Sequence, residues 1–582
     1  MQIRYTLAMP EPRTHLYHVA VELSGVREPH VDLVLPVWTP GAYVVRDFAK
    51  NVQDFQAGKL RWKKVEKSRW RVFTGGASTV RASYRVWAFE LEVDQSHLDG
   101  DHGYFNGTSV FMYVDGQKQR PVTLDIRAPR GWRVTTGLDG GPSRFPAPDY
   151  DVLVDCPTEI GTTPVRTFKV LGRTHRVLVH GQNNWDEARL LRDTRKIVAE
   201  AARMFGGLPY RHYLFLYHAQ VAGLGGLEHL NSTSMTLNPW AGRPAKQYER
   251  ILEVTSHEFF HLWNVKRIRP KALGPFDYDR EVYTGLLWLC EGITSYYDDL
   301  ICCRAKLYDA KRYLKKVAEA IQAYRDKPSR LRQSLSSSSF DTWLWGYKGH
   351  PHLVNRFMSY YEKGSLVAMG LDLEIRRRTR NRRSLDHVMR HLWREVASKD
   401  RTIEEDAMPR IVAEVAGGSY DDFFAKYIDG TAEVPFESFL AHAGLDLRPE
   451  PAKTDGEAEP KTLAWLGVQT RAGAERPIVA AVTEGSPASR DGLCPEDDVI
   501  ALDGARVDNQ NFTALLKDRR PGDRVRVSVF RAGRLVHADV TCGKKDNVTL
   551  GIVPRRAAGA AEKAVYASWL RHKWTPPAGK KP

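Results

Sequence analysis

Residues 254–264 read VTSHEFFHLWN. His257 and His261 stand four apart, so on a helix both imidazoles project from one face and can grip one zinc ion. Glu258 lies between them, placed to take a proton from water held by that ion. A catalytic zinc takes three protein ligands and keeps a fourth position open. The third ligand is expected from a second helix facing the first. Residues 286–300, LLWLCEGITSYYDDL, offer Glu291, which stands among Leu286, Leu287, Leu289 and Ile293. A carboxylate buried in such a stretch is costly unless it is paired or binds a metal; the plainer alternative is an exposed helix residue.

Two further groups extend this chemistry. A developing oxyanion needs a donor besides the metal, and the phenol of Tyr361, in SYYEKG (359–364), can supply one. Taken alone, Tyr360 and Tyr361 read more simply as core or interface aromatics. GLGGLEHLNST (223–233) places Glu228 after Gly225 and Gly226, which let the backbone run close to a bound chain. An acidic group there can hold a free α-amine. The alternative is a glycine-rich loop with a surface carboxylate. His229 reads as a substrate contact or as a hydrogen-bonded neighbour, and its role stays open.

Outward from these motifs, the 582 residues are enough for three or four domains. With 42% hydrophobic and 10% aromatic residues, the chain can bury sizeable cores, which excludes wholesale disorder. No apolar run reaches the ~20 residues of a spanning helix, and the first residues lack the apolar core of a secretory signal. The expectation is a soluble, cytoplasmic protein. Six cysteines with no CxxC pair exclude a disulfide framework or a cysteine zinc knuckle. The net charge of +16 could draw nucleic acid, but its densest cluster, RRRTRNRR (376–383), ends a helical pattern and reads better as a solvated helix end.

The first ~165 residues alternate β-branched and aromatic residues between short turns, as in HLYHVAVEL (15–23), STVRASYRVWAF (78–89) and DYDVLVD (149–155), the pattern of a sandwich or barrel. From residue 186 a helical period takes over, ending at Gly206 and Gly207, with further helices to about 443. PEPAKTDGEAEP (449–460) has linker composition, short strands resume after it, and the tail to residue 582 is expected to fray.

HEFFHLWNVKRIRP, LLWLCEGITSYY and YYEKG, in that order, resemble the glycyl aminopeptidase family of zinc peptidases, family sixty-one of the metallopeptidases, among the gluzincins. PVWTPGAYVVRDF (36–48) and YDDFFAKYIDGTAEVPFESFLAHAGL (420–445) extend the resemblance over roughly residues 1–450. It implies a multidomain α+β protein: an N-terminal β-sandwich-like domain (1–165) and a thermolysin-like catalytic domain with C-terminal helices (166–450). By that resemblance one zinc ion sits on His257, His261 and Glu291, Glu258 is the base, and Tyr361 steadies the transition state. GLGGLE is similar to the exopeptidase signature of aminopeptidase N relatives, although His229 replaces the usual Asn.

Beyond a linker at 451–461, TLAWLGVQT, EGSPASRDGLCPEDDVIALDG and NFTALLKDRRPGDRVRVSVFRAG resemble a bacterial-type PDZ domain (462–555), with a tail at 556–582. Such domains add an extended peptide to a sheet edge, and the carboxylate loop would be Leu466, Gly467 and Val468. The function implied is zinc-dependent removal of N-terminal residues, glycine or alanine preferred, from peptides with a free N-terminus. The alternatives are a zinc endopeptidase with PDZ-guided substrate choice and an inactive PDZ scaffold; a nucleic-acid partner has only the charge behind it.

Overall fold

The computed structural model describes residues 1–451, 453–454, 457–458, 462–471 and 473–576. These form two units, one of residues 1–284, 297–307 and 386–408, the other of residues 285–296, 308–385 and 409–582.

The first unit opens with the expected β domain. In Leu16–Ser24 every second residue (Tyr17, Val19, Val21, Leu23) is buried, the period of a strand with one face on a core. This strand pairs antiparallel with Gln2–Ala8 and with Thr79–Trp87 in a six-stranded sheet. A four-stranded sheet containing Arg69–Phe73 faces it, and Phe55 stacks on both Trp70 and Tyr84 between the two. One segment departs from the expectation. DYDVLVD is not a strand: Tyr150–Val154 is a short helix whose first turn is capped by the Asp149 side chain, which accepts from Val152 N.

A five-stranded sheet follows, made of β1 (Val165–Val170), β2 (Arg173–His180), β3 (His212–Ala219), β4 (Gly225–Glu228) and β5 (Ser232–Leu237). Its order is β1-β2-β3-β5-β4. The parallel pair β2 and β3 is joined through helix α1 (Glu187–Phe205), which ends as expected at Gly206, in the left-handed region. β4 pairs antiparallel with β5 and forms the sheet's edge. Helix α2 (Ala245–Phe260) packs on β4 and β5.

The second unit contains a π-turn at Trp288–Gly292, the first residues of helix α3 (Ile293–Arg304), and helix α4 (Glu362–Arg378). Of the arginines closing α4 and following it, Arg377, Arg378, Arg380, Arg382 and Arg383 are exposed, as a solvated helix end requires, and Arg376 is the exception. Arg376 is buried and donates to Asp372 Oδ1, Asn381 Oδ1 and Ser568 Oγ, while Arg377 and Arg378 both pair with Glu374. The PDZ-like region builds its core from Val479, Val499, Val525, Val527, Val529 and Val540. Most of the 451–461 linker lies outside the described residues. Residues 577–582 of the tail also lie outside them, but Ala560–Leu570 departs from the expected fraying: it is a helix, α5, with Trp569 fully buried and its indole N–H donating to Tyr296 Oη at 2.8 Å. Four apolar residues, Val565, Tyr566, Trp569 and Leu570, give it a face to bury. No helix among the described residues is long and apolar enough to cross a membrane.

Candidate active site

α2 carries His257 and Glu258, and His261 closes its last turn. The two imidazoles stand with ring centroids 4.7 Å apart, steeply inclined to each other. His261 Nδ1 lies 2.8 Å from the carbonyl oxygen of Asn264, which can only accept, so Nδ1 carries the proton and Nε2 the lone pair. His257 Nδ1 lies 3.1 Å from Asp298 Oδ2, on α3, and the same tautomer follows. Imidazoles oriented by a carboxylate or a carbonyl on one nitrogen and basic at the other are the form that ligates metals. Asp298 and Asn264 were not singled out in the sequence. Asp298 falls seven residues after Glu291, two helical turns on, and that spacing is the only signal it leaves.

Glu228 ends β4. Among the described residues, one ligand atom each from Glu228, Glu258 and His261 lie within 4.8 Å of one another, all three residues buried. The edge strand runs directly over the α2 carboxylate: a Cβ built on Gly226 would come within 2.5 Å of Glu258 Cγ. On the other side the chain of the β domain closes in. A Cβ on Gly41, whose φ is +100°, would stand 2.7 Å from both Glu228 carboxylate oxygens. Trp38, Pro40, Gly41 and Tyr43, with Val265, Lys266, Leu273 and Phe276, wall a cavity of about 10 Å³ beside Glu228, room for a single water.

His229, left open above, is tied to the scaffold. Its Nδ1 meets Asp155 Oδ1 at 3.1 Å, while Leu230 N donates to Asp155 Oδ2 at 2.8 Å and Lys266 Nζ to Oδ1 at 2.6 Å. Burial alone would raise the Asp155 carboxyl, but Lys266 and His229 bring it down to about 2. Asp155 thus pins the end of the Glu228 strand.

In the second unit Glu291 is buried within the π-turn, a distortion often found at functional sites. The two tyrosines separate. Tyr360 is fully buried with its hydroxyl on Thr342 Oγ1 at 2.9 Å; Tyr361 is half-buried, caps α4 and meets Tyr347 Oη at 3.0 Å. Burial, and after it the Glu291 carboxylate, push the Tyr361 phenol well above its usual value, so it is a proton donor at neutral pH.

In the PDZ-like region Gly467 has φ +87°, and a Cβ there would stand 2.5 Å from Ser486 Oγ. Leu466 O and Gly467 O accept from Ala488 N and Thr483 N. Val468–Thr470 pairs with Val479–Val482 and, among the described residues, with no other strand.

Residues 4–162 match the Peptidase M61 N-terminal domain, residues 250–367 the M61 glycyl aminopeptidase, and residues 464–542 a PDZ domain. The chain carries an M61 peptidase domain. It is a metallopeptidase, of mixed α+β architecture, with a β-rich N-terminal domain and a C-terminal PDZ domain that suggests peptide binding. An aminopeptidase N family protein from Idiomarina loihiensis, of known crystal structure, is 28% identical with a TM-score of 0.91, covering 98% of this chain and 100% of its own. An M1 zinc metallopeptidase from Deinococcus radiodurans is 15% identical over 75% of this chain and 95% of its own, at a TM-score of 0.49. No curated protein matches.

Proposed function

We propose that this metallopeptidase is a zinc aminopeptidase that removes N-terminal residues, glycine or alanine preferred, from peptides. His257, His261 and Glu291 would hold one zinc ion. They fit it chemically: two imidazoles with basic Nε2 atoms and a buried carboxylate make the neutral-nitrogen and oxygen donor set of a catalytic zinc site. When bound, zinc supplies Lewis acidity toward the scissile carbonyl and acidifies water.

The chain's own residues do the rest. The Glu258 carboxylate accepts the proton of the attacking water and returns it to the leaving amine nitrogen. The Tyr361 hydroxyl, protonated at neutral pH, donates to the developing oxyanion. The outer edge of β4 offers backbone groups along which a substrate can lie as an added strand. In the PDZ domain, Leu466, Gly467 and Val468 would receive a peptide carboxylate, with the strand Val468–Thr470 offering its edge.

Glu228 carries the exopeptidase reading. It is a buried carboxylate beside the base and a zinc-binding histidine, backed by the Gly41 loop, so the cleft has an acidic end wall suited to an α-ammonium group. The preference for glycine or alanine rests on the family resemblance. The test compares kcat/KM for a glycine anilide and its N-acetyl derivative in the native protein and in Glu228→Ala. The native protein should reject the acetylated substrate, and the variant should lose ~30-fold or more on the free amine, the cost of unpairing a buried charge. Equal use of both substrates by the native protein would favour an endopeptidase instead.

A further inference from the structure

Away from the HEFFH helix, the first unit gathers a second set of imidazoles around one carboxylate. Glu159, on the strand Thr158–Gly161, is buried with its side chain 1% exposed. His102 Nδ1 lies 2.9 Å from its Oε1, His180 Nδ1 3.7 Å from the same oxygen, and His218 Nε2 3.1 Å from Oε2. The rings of His102 and His180 stack with centroids 3.6 Å apart. His97 adds a fourth ring, 4.9 Å from that of His102, with its Nε2 3.1 Å from Asp99 Oδ2. The buried Nδ1 atoms of His97 and His218 have no hydrogen-bond partner among the described residues.

Hydrogen bonding to its two oxygens accounts for His102 and His218 on Glu159; His180, whose Nδ1 also meets Thr163 Oγ1 at 3.1 Å, is the ring left over. Two imidazoles stacked face to face and aimed at one oxygen cannot both be charged without strong repulsion. They can both be neutral ligands. We propose that His102, Glu159 and His180 form a second metal site, independent of the catalytic one, for a divalent transition-metal ion of the zinc class. One ligand atom from each lies within 4.8 Å of the other two, a spread that a small inward movement converts to the ~3.4 Å between ligands of one tetrahedral zinc. The donor set of two imidazoles and a carboxylate selects zinc, cobalt or nickel over calcium or magnesium.

The position gives the ion a role. His102 and Glu159 belong to adjacent strands of a four-stranded sheet of the β domain, whereas His180 ends β2 of the five-stranded sheet, beside His218 of β3. An ion here would clamp the β domain to the catalytic sheet within the first unit, and its binding energy would appear as folding stability.

The experiment strips the full-length protein with a chelator, reloads it with Zn²⁺, and counts bound ions by elemental analysis in the native protein, His257→Ala and His180→Ala. His180→Ala should hold one zinc fewer than the native protein, and His257→Ala, damaged at the catalytic site, should still bind one. Zn²⁺ should raise the Tm of His257→Ala, and a double His180→Ala/His257→Ala change should abolish that rise. If His257→Ala binds no zinc and shows no rise in Tm, the proposal fails, whatever becomes of the His180 variant.

Discussion

Gly292 and Gly364 meet backbone against backbone. A Cβ on Gly292 would stand 2.7 Å from Gly364 Cα and 2.7 Å from Tyr360 O, and one on Gly364 would stand 2.8 Å from Gly292 Cα. Gly292 follows Glu291 in the π-turn, and Gly364 lies three residues after Tyr361 in α4. Two motifs, CEG and YEKG, therefore share one steric requirement: the carboxylate and the phenol are set by a contact that tolerates no side chain.

Gly364→Ala must push these segments apart. Overpacking a tight contact typically costs ~1–3 kcal/mol, and here the displacement falls on Glu291 and Tyr361 together. Urea unfolding should show the loss of stability, and zinc content and kcat should fall with it. Native stability and turnover in this variant would mean that the contact is looser than the structure indicates.

Tyr361→Phe removes one hydroxyl. As the proposed oxyanion donor, its loss should lower kcat by ~10²–10³ while zinc content and KM change little. Tyr360→Phe should act on stability alone, because its hydroxyl is spent on buried Thr342. Reversal of the two outcomes would move the catalytic role to Tyr360.

What the sequence disclosed follows from which signals are local. HEFFH is legible because two proposed ligands and the proposed base lie within five residues of one helix, so spacing alone puts them on one face. The sandwich strands are legible because one face meets water and the other does not, which produces alternation. β5, STSMTL, carries no such signal: it is buried on both faces, and its small polar residues read as loop. The support around the site is equally silent. Asp298, Asp155 and Gly41 reach His257, His229 and Glu228 from 41, 74 and 187 positions away, distances that no local pattern spans. Arg376 misled because its buried partner, Asp372, looks like any surface carboxylate one turn back.

Asp298→Ala should leave the fold intact but loosen the His257 ring and remove its tautomer control. Loss of such a supporting partner commonly lowers metal affinity by 10–100-fold. Competition against a fluorescent zinc chelator measures this directly, and activity should return at raised zinc. An unchanged affinity would show that Asp298 does not orient the ligand.

Asp155 makes a pH-dependent contribution. Its carboxyl lies at about 2 in the fold against an ordinary 3.8, a depressed value, so its stabilisation is present above pH ~4 and is lost as pH falls toward 2. The difference is worth on the order of 2 kcal/mol. Asp155→Asn should therefore be less stable than the native protein at pH 7, and the gap should close as the pH is lowered to 3 and below. A gap independent of pH would assign the effect to packing rather than to charge.

Gly225 and Gly226 provide a paired test of the strand above the base. Both are glycines of β4, one residue apart, and the sequence gives no reason to rank them. The structure does. A Cβ on Gly225 meets nothing within 4 Å, whereas a Cβ on Gly226 would overlap the Glu258 side chain. Neither has a positive φ, so alanine strains the backbone at neither position. Gly225→Ala should keep near-native kcat, zinc content and Tm. Gly226→Ala should keep its zinc, because no proposed ligand is touched, yet lose turnover as Glu258 is displaced from the attacking water; a 1 Å misplacement can cost ~10²-fold in rate. Steady-state kinetics with a glycine anilide, read beside zinc content, separates the cases. Equal losses in both variants would point to the substrate-facing edge of β4 as the sensitive feature, and equal tolerance would show that the strand yields enough to leave Glu258 in place.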